Sequence, residues 1–133
     1  RAVVKIGDGV APSKLERWRR IAEQAARQCG RSDPPIVEDI LDWADALDVV
    51  ASIDARFVLD PRAPEPLGAR LPTVVKSGAS VAFGVGPEGG LTDREIEVAR
   101  DRGFAPVSVG HFVLRTETVA TTVLGAVRFL ATP

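Results

Sequence analysis

The stretch Val81-Ala82-Phe83-Gly84-Val85-Gly86-Pro87-Glu88-Gly89-Gly90-Leu91-Thr92-Asp93-Arg94-Glu95 decides the fold. Val81–Val85 is a short apolar run bounded by a glycine-rich segment, the pattern of a buried strand. Thr92, with Glu95 three residues later, has the spacing of a capping box and opens a helix through Arg102. Strand, tight loop and helix in this order make one unit of an α/β fold with a mainly parallel sheet. Downstream, Pro106–Val109 reads as a further strand and Thr116–Leu130 as a last helix. Val119, Ala120, Val123, Leu124, Val127, Leu130 and Ala131 mark the buried side of that helix.

Upstream, Arg56–Leu59 is a β-like run ended by Asp60-Pro61, and the stretch from there through Pro72, rich in Pro, Gly and Ala, reads as a loop. Ile40–Ala51 reads as an acidic helical segment and Ile36–Val37 as a short strand. A helix over Lys14–Cys29 is expected from Ser13 and Glu16, again at capping-box spacing. Leu15, Trp18, Ile21, Ala22, Ala25, Ala26 and Cys29 step by three and four and predict a face packed on a core. Arg17, Arg20, Gln24, Arg27 and Arg31 form a basic stripe on another face, either a solvated helix surface or a contact for phosphates.

The chain has 133 residues, one domain's worth, with 45% hydrophobic, 26% charged and 5% aromatic content. That balance excludes disorder and fibrous repeats, and no apolar run is long enough to span a bilayer. The single cysteine, Cys29, forms no internal disulfide, and with no apolar signal segment at the start a reducing cytoplasm is expected. No metal site is expected. The net charge of −1 conceals a polarity: residues 1–31 carry +5, residues 32–66 carry −7 and the remainder +1. A local basic face can therefore meet a polyanion despite the neutral total.

Gly84-Val85-Gly86-Pro87-Glu88-Gly89 satisfies the spacing of a dinucleotide-binding loop, but the residues between the glycines argue against it. Pro87 removes a backbone donor, Glu88 puts a carboxylate where pyrophosphate would lie, and no acid ends the next strand to hold a ribose. No Gly-Lys-Ser/Thr follows, so a nucleotide-triphosphate loop is excluded too. The loop suits a ligand without phosphates and with a positive centre. The bland alternative is a turn that needs glycine for positive φ, although four glycines in seven residues exceed what one turn requires.

In Val107-Ser108-Val109-Gly110-His111-Phe112-Val113-Leu114-Arg115-Thr116-Glu117-Thr118 a strand leads through a short loop into the last helix. Arg115 stands just before the helix, where the macrodipole disfavours a cation, whereas Glu117 has the favourable sign. Arg115 either pairs with Glu117 or Glu88, or is aimed at an anionic or developing-anion substrate.

Gly86-Pro87-Glu88-Gly89-Gly90-Leu91-Thr92 with Glu95, Gly103-Phe104, and Val109 through Thr118 together resemble the SPOUT class of methyltransferases. The resemblance is strongest to the family that methylates N3 of a uridine in small-subunit ribosomal RNA. Arg17-Trp18 and Ala25-Ala26-Arg27-Gln28-Cys29-Gly30-Arg31 resemble the family's tryptophan-bearing helix and its Gln-x-x-Arg ending. The resemblance implies a C-terminal trefoil knot and an S-adenosylmethionine site at Leu59, at Val85, Gly86, Pro87, Glu88 and Gly89, and at Val109, Gly110, Phe112, Val113 and Leu114.

It also implies that Arg115 faces the methyl group and target base, with Glu117 as a candidate base or as the group that orients Arg115. Arg17, Arg20, Arg27, Gln28 and Arg31 are then the residues expected to meet RNA. A cytoplasmic homodimer acting in ribosome biogenesis is implied as well. The family's pattern has Ala at Val119 and Leu at Val109, both apolar exchanges, and no fixed residue at His111. On this resemblance residues 1–133 are the C-terminal methyltransferase domain, incomplete at its N-terminus and without an N-terminal PUA-like RNA-binding domain. The alternatives are a SPOUT methyltransferase acting on another RNA, or a non-catalytic RNA-binding assembly factor. A nicotinamide-dependent oxidoreductase remains as a fold-only alternative, weakened by Pro87 and Glu88.

Overall fold

In the computed structural model, which describes residues 12–111 and 113–131, eight elements follow one another: α1 (Pro12–Gln28), α2 (Trp43–Val49), β1 (Ala55–Leu59), α3 (Leu67–Lys76), β2 (Val81–Val85), α4 (Asp93–Asp101), β3 (Ala105–Val107) and α5 (Thr116–Ala131). The chain divides into two compact units, one up to Ala46 and one from Leu47 onward.

The second unit is built on a three-stranded, wholly parallel sheet in the order β2-β1-β3. β1 is central: Phe57 pairs with Phe83 on one side and with Ala105 on the other. Because β2 and β3 flank β1 on opposite sides, the connections β1-α3-β2 and β2-α4-β3 run in opposite directions. Right-handed crossovers then put α3 and α4 on opposite faces of the sheet. α5 packs on α3 and β2. The period of two along β1 sends Phe57 and Leu59 to one face and Val58 to the other. Phe57 and Leu59 join Leu67, Leu71, Val107 and Val123 in one buried cluster. Phe57 also stacks on Phe83, with ring centroids 5.9 Å apart, and the Arg70 guanidinium lies 5.6 Å from the centre of the Phe57 ring.

The stretch read as a loop through Pro72 is loop only over residues 60–66; from Leu67 on it is helix α3, which carries Pro72 in its interior. An interior proline forfeits one backbone hydrogen bond and crowds the preceding turn, at about 3 kcal/mol. Leu67 and Leu71 are buried and Val74 and Val75 pack beside them, and burial contributes about 1.5–3 kcal/mol for each large apolar side chain. The packing therefore outweighs the breaker.

The capping box at Thr92 and Glu95 forms in full: Glu95 N–H donates to Thr92 Oγ1 at 3.2 Å, and Thr92 N–H donates to Glu95 Oε2 at 2.9 Å. The one expected at Ser13 does not, because α1 begins at Pro12 and Ser13 lies inside the first turn. Proline suits that opening position, where an N–H would have no partner. The apolar stripe of α1 is only partly buried. Ala26 is enclosed, but Ile21, Ala25 and Cys29 are exposed. α1 ends in a Schellman turn, with Arg31 N–H donating to Ala26 O at 2.9 Å and Gly30 N–H to Arg27 O at 3.2 Å.

Ile36–Val37 forms no strand; Val37 is a lone bridge residue, and its carbonyl accepts from Arg19 Nε at 3.1 Å. The acidic helix is shorter than expected, confined to Trp43–Val49. On α5, Val119, Val123, Val127 and Leu130 face the core as expected, whereas Leu124 and Ala131 are exposed.

Candidate active site

Parallel strands deliver their carboxyl ends to one edge of the sheet, where open α/β folds place their ligand crevices. Here a cleft of about 390 Å³ opens at that edge, within the size range of small-molecule sites. Its wall comes from three connections: Leu59, Asp60, Pro61 and Arg62 after β1; Val85 through Leu91 after β2; and Val109, Gly110, His111, Val113 and Leu114 after β3, with Thr116 and Val119 from α5.

The glycine-rich connection is shaped by two different demands. A Cβ on Gly86 would lie 2.8 Å from Leu91 Cγ and 3.0 Å from Leu91 N, so the loop closes on itself only with glycine there. Gly90 takes φ 78° and donates its N–H to Pro87 O at 2.8 Å, completing a turn over Pro87–Gly90. Gly89 has neither constraint; a Cβ there would meet nothing within 4 Å. The turn explains part of the glycine content and leaves Gly89 as bare backbone in the cleft wall.

This geometry also argues against a phosphate-binding reading. Pro87 has no N–H to offer, the Gly90 N–H is used within the turn, and the start of α4 is filled by the Glu95 carboxylate with Asp93 beside it. A helix start already holding carboxylates repels a phosphate.

The polar side chains of the wall are organised by Arg62. Its Nε donates to Asp60 Oδ1 at 3.0 Å and its Nη2 to Asp60 Oδ2 at 3.3 Å. Nη1 reaches Asp93 Oδ1 at 2.8 Å, and Nη2 also reaches Leu91 O at 3.4 Å. Burial pushes the Asp60 carboxyl up, but hydrogen bonds from the Arg62 side chain and backbone, with the charges of Arg62 and Arg100, hold it below the ordinary carboxylate range. At the other end of the glycine loop, Thr116 Oγ1 donates to Gly86 O at 3.2 Å.

The RNA methyltransferase domain family matches this sequence over residues 1–128. The chain belongs to that family. Ribosomal RNA small subunit methyltransferase E of Bacillus subtilis is 32% identical over 133 residues, covering 97% of this chain and 52% of the relative. The protein of the same name from Synechocystis is 38% identical over 120 residues, covering 89% and 39% respectively. A crystal structure of ribosomal RNA small subunit methyltransferase E from Neisseria gonorrhoeae bound to S-adenosyl methionine superposes with a TM-score of 0.81 at 33% identity, over 96% of this chain and 53% of that one. The chain thus spans about half the length, or less, of the relatives it matches.

In this RNA methyltransferase domain, Leu59, Val85, Gly86, Pro87, Glu88, Gly89, Val109, Gly110, Val113 and Leu114 all stand in the wall of one cleft; Phe112 lies outside the described residues. Arg115 and Glu117 do not line it. Both are exposed, with Arg115 between the wall residues Leu114 and Thr116. The Arg115 carbonyl accepts from Val119 N–H at 2.9 Å, which makes it the N-cap of α5. Of the two alternatives for Arg115, the ion pair with Glu117 or Glu88 does not form: among the described residues the Arg115 guanidinium has no acidic partner within salt-bridge distance.

The basic residues of α1 and of the turn that follows it are all exposed but unequal. Arg31 pairs with Asp33 at 3.0 Å and Arg27 with Glu23 at 3.7 Å, whereas Arg17 and Arg20 have no acidic partner among the described residues. In the sequence Asp60 and Arg62 carry no functional signal, because the Asp-Pro-Arg run marks only the end of a strand. Thr116 shows there only as a helix start, since its bond to a carbonyl thirty residues away leaves no local trace.

Proposed function

We propose that this chain is the S-adenosylmethionine-binding, methyl-transferring part of a small-subunit ribosomal RNA methyltransferase, and that its target atom is N3 of a uridine. The observation that carries the reading is the cleft at the carboxyl ends of three parallel strands, with apolar walls, exposed glycine backbone and carboxylates, and with its one arginine, Arg62, engaged by Asp60 and Asp93. Such a lining fits a cationic, phosphate-free nucleoside. Leu59, Val85, Val109 and Leu114 would enclose the adenine, the bare backbone at Gly89 and Gly110 leaves room for close approach, and Glu88 favours a positive centre. When bound, S-adenosylmethionine supplies an electrophilic methyl carbon on a sulfonium.

Uridine N3 carries a proton at neutral pH, so transfer requires loss of that proton and stabilisation of the charge then shared by O2 and O4. Arg115 suits the stabilising role. It is exposed beside the cleft, has no acidic partner among the described residues and sits at a helix start whose dipole gives it no support. Glu117 is the candidate to accept the proton or to orient Arg115. The same reading takes α1, chiefly Arg17 and Arg20 with Arg27, Gln28 and Arg31, as the RNA-facing surface. It also takes the α5 region as a trefoil knot, and the working form as a cytoplasmic homodimer served by an upstream RNA-binding domain.

The test is methyl transfer to small-subunit RNA from a strain lacking the gene, with the labelled nucleotide located by mass spectrometry. Arg115→Ala is expected to lower the rate by about 10²–10³, the usual cost of removing one charge-stabilising donor, while affinity for S-adenosylmethionine stays within about twofold. An unchanged rate would overturn the role of Arg115. A methyl group elsewhere than uridine N3 would overturn the target, and no cofactor binding by calorimetry would favour a non-catalytic RNA-binding factor.

A further inference from the structure

The glycine-rich loop is held at its two ends by side chains from other elements. Thr116 holds Gly86 through its carbonyl, and Arg62 holds Leu91 and Asp93 while gripping Asp60 with both sides of its guanidinium. Between these posts Pro87, Glu88 and Gly89 are exposed. From this arrangement we infer that Arg62 is a positioning residue, which fixes the glycine-rich wall of the cleft against the end of β1 and thereby sets the affinity of the site for its ligand.

Three features separate this from an incidental surface ion pair. The grip on Asp60 is bidentate and is doubled by the Arg62 backbone N–H, which donates to the same Asp60 Oδ1 at 3.0 Å. Asp60 is itself anchored, its side chain only 12% exposed and its N–H donating to Val107 O at 3.0 Å. The far partners, Leu91 O and Asp93, lie about thirty residues away, on the opposite side of the glycine loop from Thr116. A planar, five-donor guanidinium can serve all of these at once; an ammonium cannot. Because Arg62 and Asp93 are solvent-exposed, the contact adds little to global stability. Its consequence is local, in the order of a loop that has few buried contacts of its own.

The experiment is amide hydrogen exchange on the purified protein and its Arg62→Ala and Arg62→Lys variants. The readouts are the amides of Gly90, bonded within the loop to Pro87 O, and of Thr92, bonded to the Glu95 carboxylate at the start of α4. Arg62→Ala is expected to speed exchange there by about two- to fivefold, the range of an exposed charge pair, with the strand amides unchanged. Arg62→Lys is expected to recover only part of the protection. The ligand arm rests on the cofactor reading above: the dissociation constant for S-adenosylmethionine, and KM for it in methyl transfer, should rise by a similar factor at constant kcat.

Exchange at Gly90 and Thr92 that is unchanged, or that rises equally in β1 and β2, would overturn the inference. So would loop exchange that rises while cofactor affinity stays constant. If the parent protein binds no S-adenosylmethionine yet the loop loosens as described, the cofactor reading falls and the positioning of the loop by Arg62 stands.

Discussion

Helices α3 and α4 do the same topological work, each carrying the chain from one parallel strand to a neighbour of β1, yet they are held by different forces. α4 has a complete capping box, Asp93 and Glu95 in its first turn and Arg100 in its last, and it buries Ile96 and Ala99. α3 starts after Pro66 with no side-chain cap, has no acid in its first turn and carries Pro72 inside. What it has is position: Leu67 and Leu71 lie in the central cluster, and α5 packs across it. One helix is specified mostly by its own ends, the other by what it is pressed against.

The sharpest way to break the comparison is Leu71→Ala. Leu71 is 3% exposed, and truncating a buried leucine costs about 2–5 kcal/mol, through lost transfer energy and the cavity left behind. Urea unfolding should show the midpoint falling accordingly with an unchanged slope. A loss under about 1 kcal/mol, the level of an ordinary surface change, would mean that burial is not what holds α3.

Thr92→Ala tests the other helix and should cost less, about 0.5–2 kcal/mol, the range for removing an N-cap side chain. Two bonds go with it, from Glu95 N–H to Thr92 Oγ1 and from Thr92 Oγ1 to Glu95 Oε2. Thr92→Ser should restore most of the loss, since the hydroxyl is what caps. If Ser and Ala behave alike, the methyl group rather than the cap matters, and the contrast with α3 disappears.

The same contrast explains what could be read from the sequence. Val81–Val85, the loop at Gly86–Gly90 and the cap at Thr92 and Glu95 were legible because each is a local signal with a local cause. α3 was not, because Pro72 and Gly68 speak against a helix and only the sheet beneath speaks for it. The α1 stripe and Leu124 failed in the opposite direction: helical periodicity says which residues share a face, not whether anything covers that face. In the cleft, the backbone-shaping residues Gly86 and Gly90 announced themselves, whereas Arg62 and Thr116 act on partners about thirty residues away and Asp60 is tied through its N–H to Val107 on another strand. Arg115 was conspicuous as a cation at a helix start, and the structure pairs it with neither Glu117 nor Glu88, nor with another acid among the described residues.

The smallest expected effect concerns acid. The Asp60 carboxyl is held below its ordinary value chiefly by Arg62, against the upward push of its own burial, and Arg62 in turn reaches Asp93 at the start of α4. A carboxyl with a depressed folded pKa binds its proton more weakly in the folded than in the unfolded chain. Its contribution is complete above the unfolded value of about 3.9 and is lost as pH falls through the lower folded value. Protonation of Asp60 loosens Arg62, and with it the link from the end of β1 to α4. Leu67 and Leu71, which hold α3, carry no titratable group. Amide-resolved spectra recorded from pH 5 downward should therefore show Arg62 and Leu91 responding before Leu71 and Val74, and that early response should be lost in Asp60→Asn. Simultaneous response of both helices in the parent protein would show that acid acts through the whole unit, and that α4 owes its placement to the sheet as much as α3 does.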